Sequence, residues 1–146
     1  MFNPSRDDAR NFLFDSWRKR REGNLQTPLE DLVSQLIEKH PEYHPLLENP
    51  QLNQSKEYSP ESGEPNPFLH LMMHLTIEEQ LSIGQPQGIR EHFRKLTEHY
   101  QSEHDAQHKM MACLNEMLWQ AQRNGTPPDA LIYLSCLDNM YGHPTQ

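Results

Sequence analysis

The chain has no apolar run approaching the ~18 residues of a membrane span. Its first residues carry no apolar stretch of the kind that marks a secretion signal. A membrane partner is therefore not expected, and the cytoplasm is the expected compartment. There is no glycine-rich phosphate loop and no Gly-x-Ser-x-Gly elbow, so nucleotide cradling and serine hydrolase chemistry lack their usual sequence support. Positive charge is also scarce. The formal net charge is -8, which argues against nonspecific binding to nucleic acid, because phosphates need a basic surface. The run Arg18-Lys19-Arg20-Arg21 is a local exception. Only two cysteines are present, Cys113 and Cys136, with no metal-ligand or redox spacing around them. They read as reduced core thiols, with a disulfide as the alternative. Hydrophobic residues make up 34% of the chain, low for a globular protein, and twelve prolines account for part of the shortfall.

Helical signals are abundant. A first helix is expected over residues 5–22, with Asn3-Pro4-Ser5 offering caps and Gly23 closing it. Leu13, Phe12, Phe14 and Trp17 supply its apolar side, and its basic last turn suits a helix C-terminus. Thr27-Pro28-Leu29-Glu30 is a capping box with proline at the first helical position. Leu29, Leu32, Val33, Leu36 and Ile37 continue it at amphipathic spacing until Pro41. Residues 48–65 are polar and rich in proline, and read as a long exposed loop. Asn66-Pro67 then opens a helix that Gly84 closes. Phe68, Leu69, Leu71, Met72, Met73, Leu75, Ile77, Leu81 and Ile83 point almost all round this helix, so it should be buried on most sides. Ile89, Phe93, Leu96 and Tyr100 mark the next helix. A break near Gln101 is expected because Ser102-Glu103-His104-Asp105 resembles a new capped start; one continuous helix is the alternative. Residues 104–124 should bury Met110, Met111, Leu114, Leu118 and Trp119, and a last helix follows Thr126-Pro127-Pro128-Asp129. With no strand pattern, the expected fold is all-α. It is a single domain over residues 1–146, with five to six helices in a bundle around the buried central helix.

Two of the segments carry histidines at i, i+4. His70 and His74 lie inside the central helix, and His104 and His108 lie at the start of a later one. This spacing puts two imidazoles on one helical face with Cβ atoms ~5–6 Å apart, close enough for two ligands to one metal. If the central helix runs up, the next down and the third up, both pairs fall at one end of the bundle and can converge when the first and third are neighbours. Glu78 follows His74 at i+4 and is the carboxylate candidate. The expected metal set is thus His70, His74, His104, His108 and Glu78, with zinc or iron as the cofactor. Four imidazoles would give a closed structural site, and three with a water would give an activated water. The competing reading is a non-catalytic interaction module with structural histidines, whose partner would be a second copy or another protein. His92 and His99 read as a solvated helix face, and His40 and His44 as helix-end residues with dipole or capping roles.

Phe2-Asn3-Pro4-Ser5-Arg6, Pro41-Glu42-Tyr43-His44, Asn66-Pro67-Phe68-Leu69-His70 through His74, and the run from His108 to Gln122 together resemble a family of short proteobacterial proteins catalogued as domain of unknown function 1841. The likeness covers nearly the whole chain. It implies a small bacterial protein and brings no activity with it. The elements His74-x3-Glu78 and His104-x3-His108 are similar to elements of hemerythrin-like metal-binding bundles. The chain departs from them in the long step from Glu78 to His104 and in having no His-x4-Asp after His108.

Overall fold

A computed structural model describes residues 6–58 and 66–141. Every regular element among these residues is helical. They are α1 (Arg6–Glu22), α2 (Pro28–Glu38), a 3-10 turn (Pro41–Tyr43), α3 (His44–Leu47), α4 (Pro50–Asn53), α5 (Pro67–Ile83), α6 (Ile89–Tyr100), α7 (Glu103–Asn124) and α8 (Ala130–Tyr141). The all-α expectation is met: six longer helices are joined by the two single turns α3 and α4. The proline-rich stretch after Glu48 is not all loop, because Pro50 starts the turn α4. The rest of that stretch from 59 to 65, the caps expected at Asn3 to Ser5 and the stop expected at Gly142 lie outside the described residues. The chain divides into two compact units, residues 1–75 and 76–146, with the boundary inside α5. No described helix is long and apolar enough to cross a membrane.

In the first unit, the capping box at Thr27 forms as the sequence predicts. Thr27 Oγ1 accepts from the Glu30 amide while Glu30 Oε1 accepts from the Thr27 amide, satisfying two otherwise orphaned donors. The amphipathic stripe of α2 then places Val33, Leu36 and Ile37 against Leu13, Phe14 and Trp17 of α1, Leu47 of α3, and Phe68 and Leu71 of α5. Phe14 and Phe68 meet edge to face at 5.6 Å, a favoured aromatic geometry. Arg10 is buried beside this cluster. Its Nη1 donates to the carbonyls of Asn53, Gln54 and Lys56 at 2.8–3.2 Å, and its guanidinium lies 4.3 Å from the Phe68 ring centre. One cation thus satisfies the carbonyls where α4 ends.

In the second unit, α6 stops where Gln101 adopts a left-handed conformation (φ 57). Ser102 then caps α7 by accepting from the Asp105 amide. The break near Gln101 is therefore present. Ile89 and Leu96 of α6, Ala106, Met110 and Leu114 of α7, and Tyr133 and Leu137 of α8 are buried. Two expectations are corrected here. Cys113 and Cys136 are not free thiols: they form a disulfide between α7 and α8, whose packing brings their Cα atoms to 5.5 Å, well inside bridging range. Leu118 and Trp119 are not buried but stand 43% and 53% exposed. The Trp119 ring takes the Arg123 guanidinium at 5.1 Å instead of core contacts. The α5 helix is buried on most sides, as expected. Phe68, Leu71, Met73, His74 and Ile77 are buried, whereas Leu69 and Ile83 are exposed.

Candidate metal centre

The first unit gathers three imidazoles. His70 and His74 come from successive turns of α5, and their ring centres lie 4.9 Å apart. The third is His40, which follows α2. It lies two residues past the end of α2 at Glu38, in a non-helical conformation just before Pro41. The His40 ring lies 5.0 Å from His70 and 4.9 Å from His74. His40 and His74 are 2% and 1% exposed, and His70 is half-buried.

The hydrogen bonding of His40 sets its chemistry. Its Nδ1 lies 2.8 Å from the Leu36 carbonyl oxygen. A carbonyl only accepts, so Nδ1 carries the hydrogen, and in the uncharged ring Nε2 holds the lone pair. An N–H fixed on a backbone carbonyl, with the other nitrogen carrying the lone pair, is the usual arrangement of a metal-bound histidine. The Tyr43 ring stacks on His40 at 5.4 Å with the planes 3° apart. Burial, then the charge of Glu42, raises the Tyr43 phenol above its ordinary value. His44 serves the helix end, where its Nε2 donates to the Ile37 carbonyl at 2.8 Å, and its ring packs against Trp17 at 4.6 Å.

The expected pair on α7 also forms. His104 and His108 have ring centres 4.2 Å apart and are both half-buried. Gln107 lies between them on the helix and donates from Nε2 to Glu78 Oε2 of α5 at 2.6 Å. Glu78, expected among the ligands, is thus occupied as an acceptor from α7. His40 and His74 each offer a ring nitrogen within 4.8 Å of the other's, and so do His104 and His108. Two nitrogens on one tetrahedral zinc stand about 3.4 Å apart, given Zn–N bonds of 2.0–2.1 Å, so modest ring rotations bring either pair to coordination distance.

His40, expected from the sequence to serve the end of α2, joins the imidazole group instead. Its spacing after Leu36 and Ile37 is the one sequence signal for an inward side chain, and it does not identify the other rings. Of the remaining histidines, His99 is exposed as expected. His92 departs from the solvated-face expectation: its Nδ1 lies 3.8 Å from Asp138 Oδ1, with the side chain 14% exposed.

A family model described as Domain of unknown function (DUF1841) matches residues 5–139. No curated protein and no solved structure matches the chain.

Proposed function

We propose, from the premise that the chain belongs to the DUF1841 family, that this protein binds a transition metal ion through imidazole nitrogens. His40 and His74 form one donor pair, and His104 and His108 the other. The observation that carries this reading is the tautomer of His40: a buried imidazole whose N–H is fixed on the Leu36 carbonyl and whose coordinating nitrogen points among other imidazoles. One ion can take several imidazole nitrogens together. Imidazole donors suit zinc, iron, nickel or copper rather than magnesium or calcium, and zinc or iron is the expected cofactor.

That both pairs serve one ion is carried forward from the sequence as part of the proposal. Glu78 accepts from Gln107, which lies between His104 and His108. In this reading Glu78 and Gln107 act as an outer pair that orients α7. Four imidazoles make a closed structural site; three leave a position for an activated water.

Elemental analysis of untagged protein tests the proposal, on wild type and on His40→Ala, His74→Ala and His108→Ala. One ion per chain, lost in all three variants, is the expected result. Two ions per chain, each lost with its own pair, would separate the sites. A wild type without metal after incubation with zinc or ferrous iron would end the reading.

Exposed Leu118 and Trp119 on α7 and Leu131 on α8 favour the second reading, an interaction module with structural histidines. It predicts self-association that is unchanged by chelator. The cytoplasmic location remains a proposal, and the Cys113–Cys136 disulfide weighs against it, because such bonds persist in oxidising compartments.

A further inference from the structure

We infer that His70 is a placeholder in the histidine group: it holds the lone pair of His40 while no ion is bound, and it withdraws when an ion binds. This rests on the metal reading above and assigns His70 a role different from that of its neighbours.

The His70 and His40 Nε2 atoms lie 3.2 Å apart. Two nitrogen lone pairs at that distance repel, so one of the two must carry a hydrogen. His40 has placed its own hydrogen on Nδ1, toward the Leu36 carbonyl. In uncharged rings the hydrogen between the two Nε2 atoms therefore belongs to His70, which donates it to His40. The near-perpendicular rings, 75° between planes, let the edge of one face the edge of the other. The lone pair that the metal reading assigns to the ion is thus engaged by a neighbouring N–H.

An ion about 2.0–2.1 Å from His40 Nε2 would occupy the space of that hydrogen, so the two states exclude each other. His40 is the ring that stays. It is buried, tied to Leu36 and stacked on Tyr43. His70 is only half-buried. Metal entry therefore displaces His70, and the His70–His40 hydrogen bond lowers the apparent affinity of the site. A neutral hydrogen bond of ordinary strength corresponds to a factor of about 2–10 in affinity.

The test compares zinc affinity of the full chain, by competition with a chromophoric chelator, for wild type, His70→Phe and His70→Ala. Phenylalanine keeps most of the ring volume without the N–H, so it separates the hydrogen bond from a packing defect. Both variants are expected to bind zinc about 2- to 10-fold more tightly. Equal or weaker binding in His70→Phe overturns the inference, and a loss of tenfold or more makes His70 a ligand. A second arm needs no metal. Long-range 15N–1H correlation spectra of the chelator-treated protein should show His40 as the Nδ1–H tautomer and His70 as the Nε2–H tautomer. Any other pair of tautomers also overturns the inference. A protein with the expected tautomers that takes no zinc overturns the metal reading, whereas one that binds zinc with no gain in His70→Phe overturns this inference alone.

Discussion

The two units solve the same problem, holding histidines in place, with different chemistry. The second unit uses one helix and one covalent bond: His104 and His108 are neighbours by helical geometry alone, and α7 is bonded to α8 through Cys113 and Cys136. The first unit draws its histidines from elements thirty residues apart, as the separation of His40 from His70 shows. It contains no cysteine. In its place stand buried polar ties: Arg10 on three carbonyls, and Gln26 donating to the Ser16 carbonyl and to Ser34 Oγ. A local pair needs only a helix, while a pair assembled across a fold needs every connection that sets the fold.

That contrast can be broken at its strongest point first. Cys136→Ser removes the covalent tie and is expected to destabilise the second unit by about 3 kcal/mol, the typical loss for closing a loop of this order. The two tryptophans report separately, since Trp17 lies in the first unit and Trp119 in the second. In urea the Trp119 transition should move to lower concentration by more than the Trp17 transition. Equal shifts would mean that the disulfide supports the whole chain rather than one unit.

Arg10→Met is the matching change in the first unit. It keeps much of the apolar stem but leaves the carbonyls of Asn53, Gln54 and Lys56 without their shared donor. A charge-assisted interaction of this kind contributes about 1.5–3 kcal/mol, so a loss of about 2 kcal/mol is expected, read from the Trp17 transition. An unchanged midpoint would show that water replaces the guanidinium without cost.

The smallest effect concerns acid. Arg20 bonds Glu38 through two nitrogens at 3.0 and 3.1 Å and also reaches Asp31. Its hydrogen bonds hold the Glu38 carboxyl below the ordinary value of 4.5, outweighing the opposing effect of burial. A carboxyl with a lowered folded-state pKa contributes stability above its unfolded value, and that contribution is lost as pH falls through the folded value. Glu38→Gln should therefore lower stability slightly at pH 7, by about 0.2–1 kcal/mol for an exposed pair. The difference from wild type should shrink as pH drops below 4.5. A difference that stays constant down to pH 3 would reject the ion pair as its source.

The same contrast explains what was legible in the sequence. Capping at Thr27, the stop at Gly23 and the new start at Ser102 are local, and each follows from a few adjacent residues. The i, i+4 pairs are local too, and both form. His40 was not legible as a donor, because its partners are chosen by the packing of α2 against α5. The disulfide stands only as the alternative in the sequence for a related reason: two cysteines without a spacing motif do not show their pairing until α7 and α8 are laid side by side. Leu118 and Trp119 continue the apolar pattern of α7, yet pattern alone does not show whether another helix covers a given turn.

Pro41 has a consequence of its own. It has no N–H to donate, yet it decides where His40 aims. By halting α2 at this point it leaves His40 in a non-helical conformation, φ -127 and ψ 67. An ordinary residue there would let the helix continue, and each further residue turns the side-chain direction by about 100°. The aim of a reactive group is thus inherited from a chemically silent neighbour. Transplanting the histidines onto another scaffold without that imino acid would copy the donors and lose their convergence.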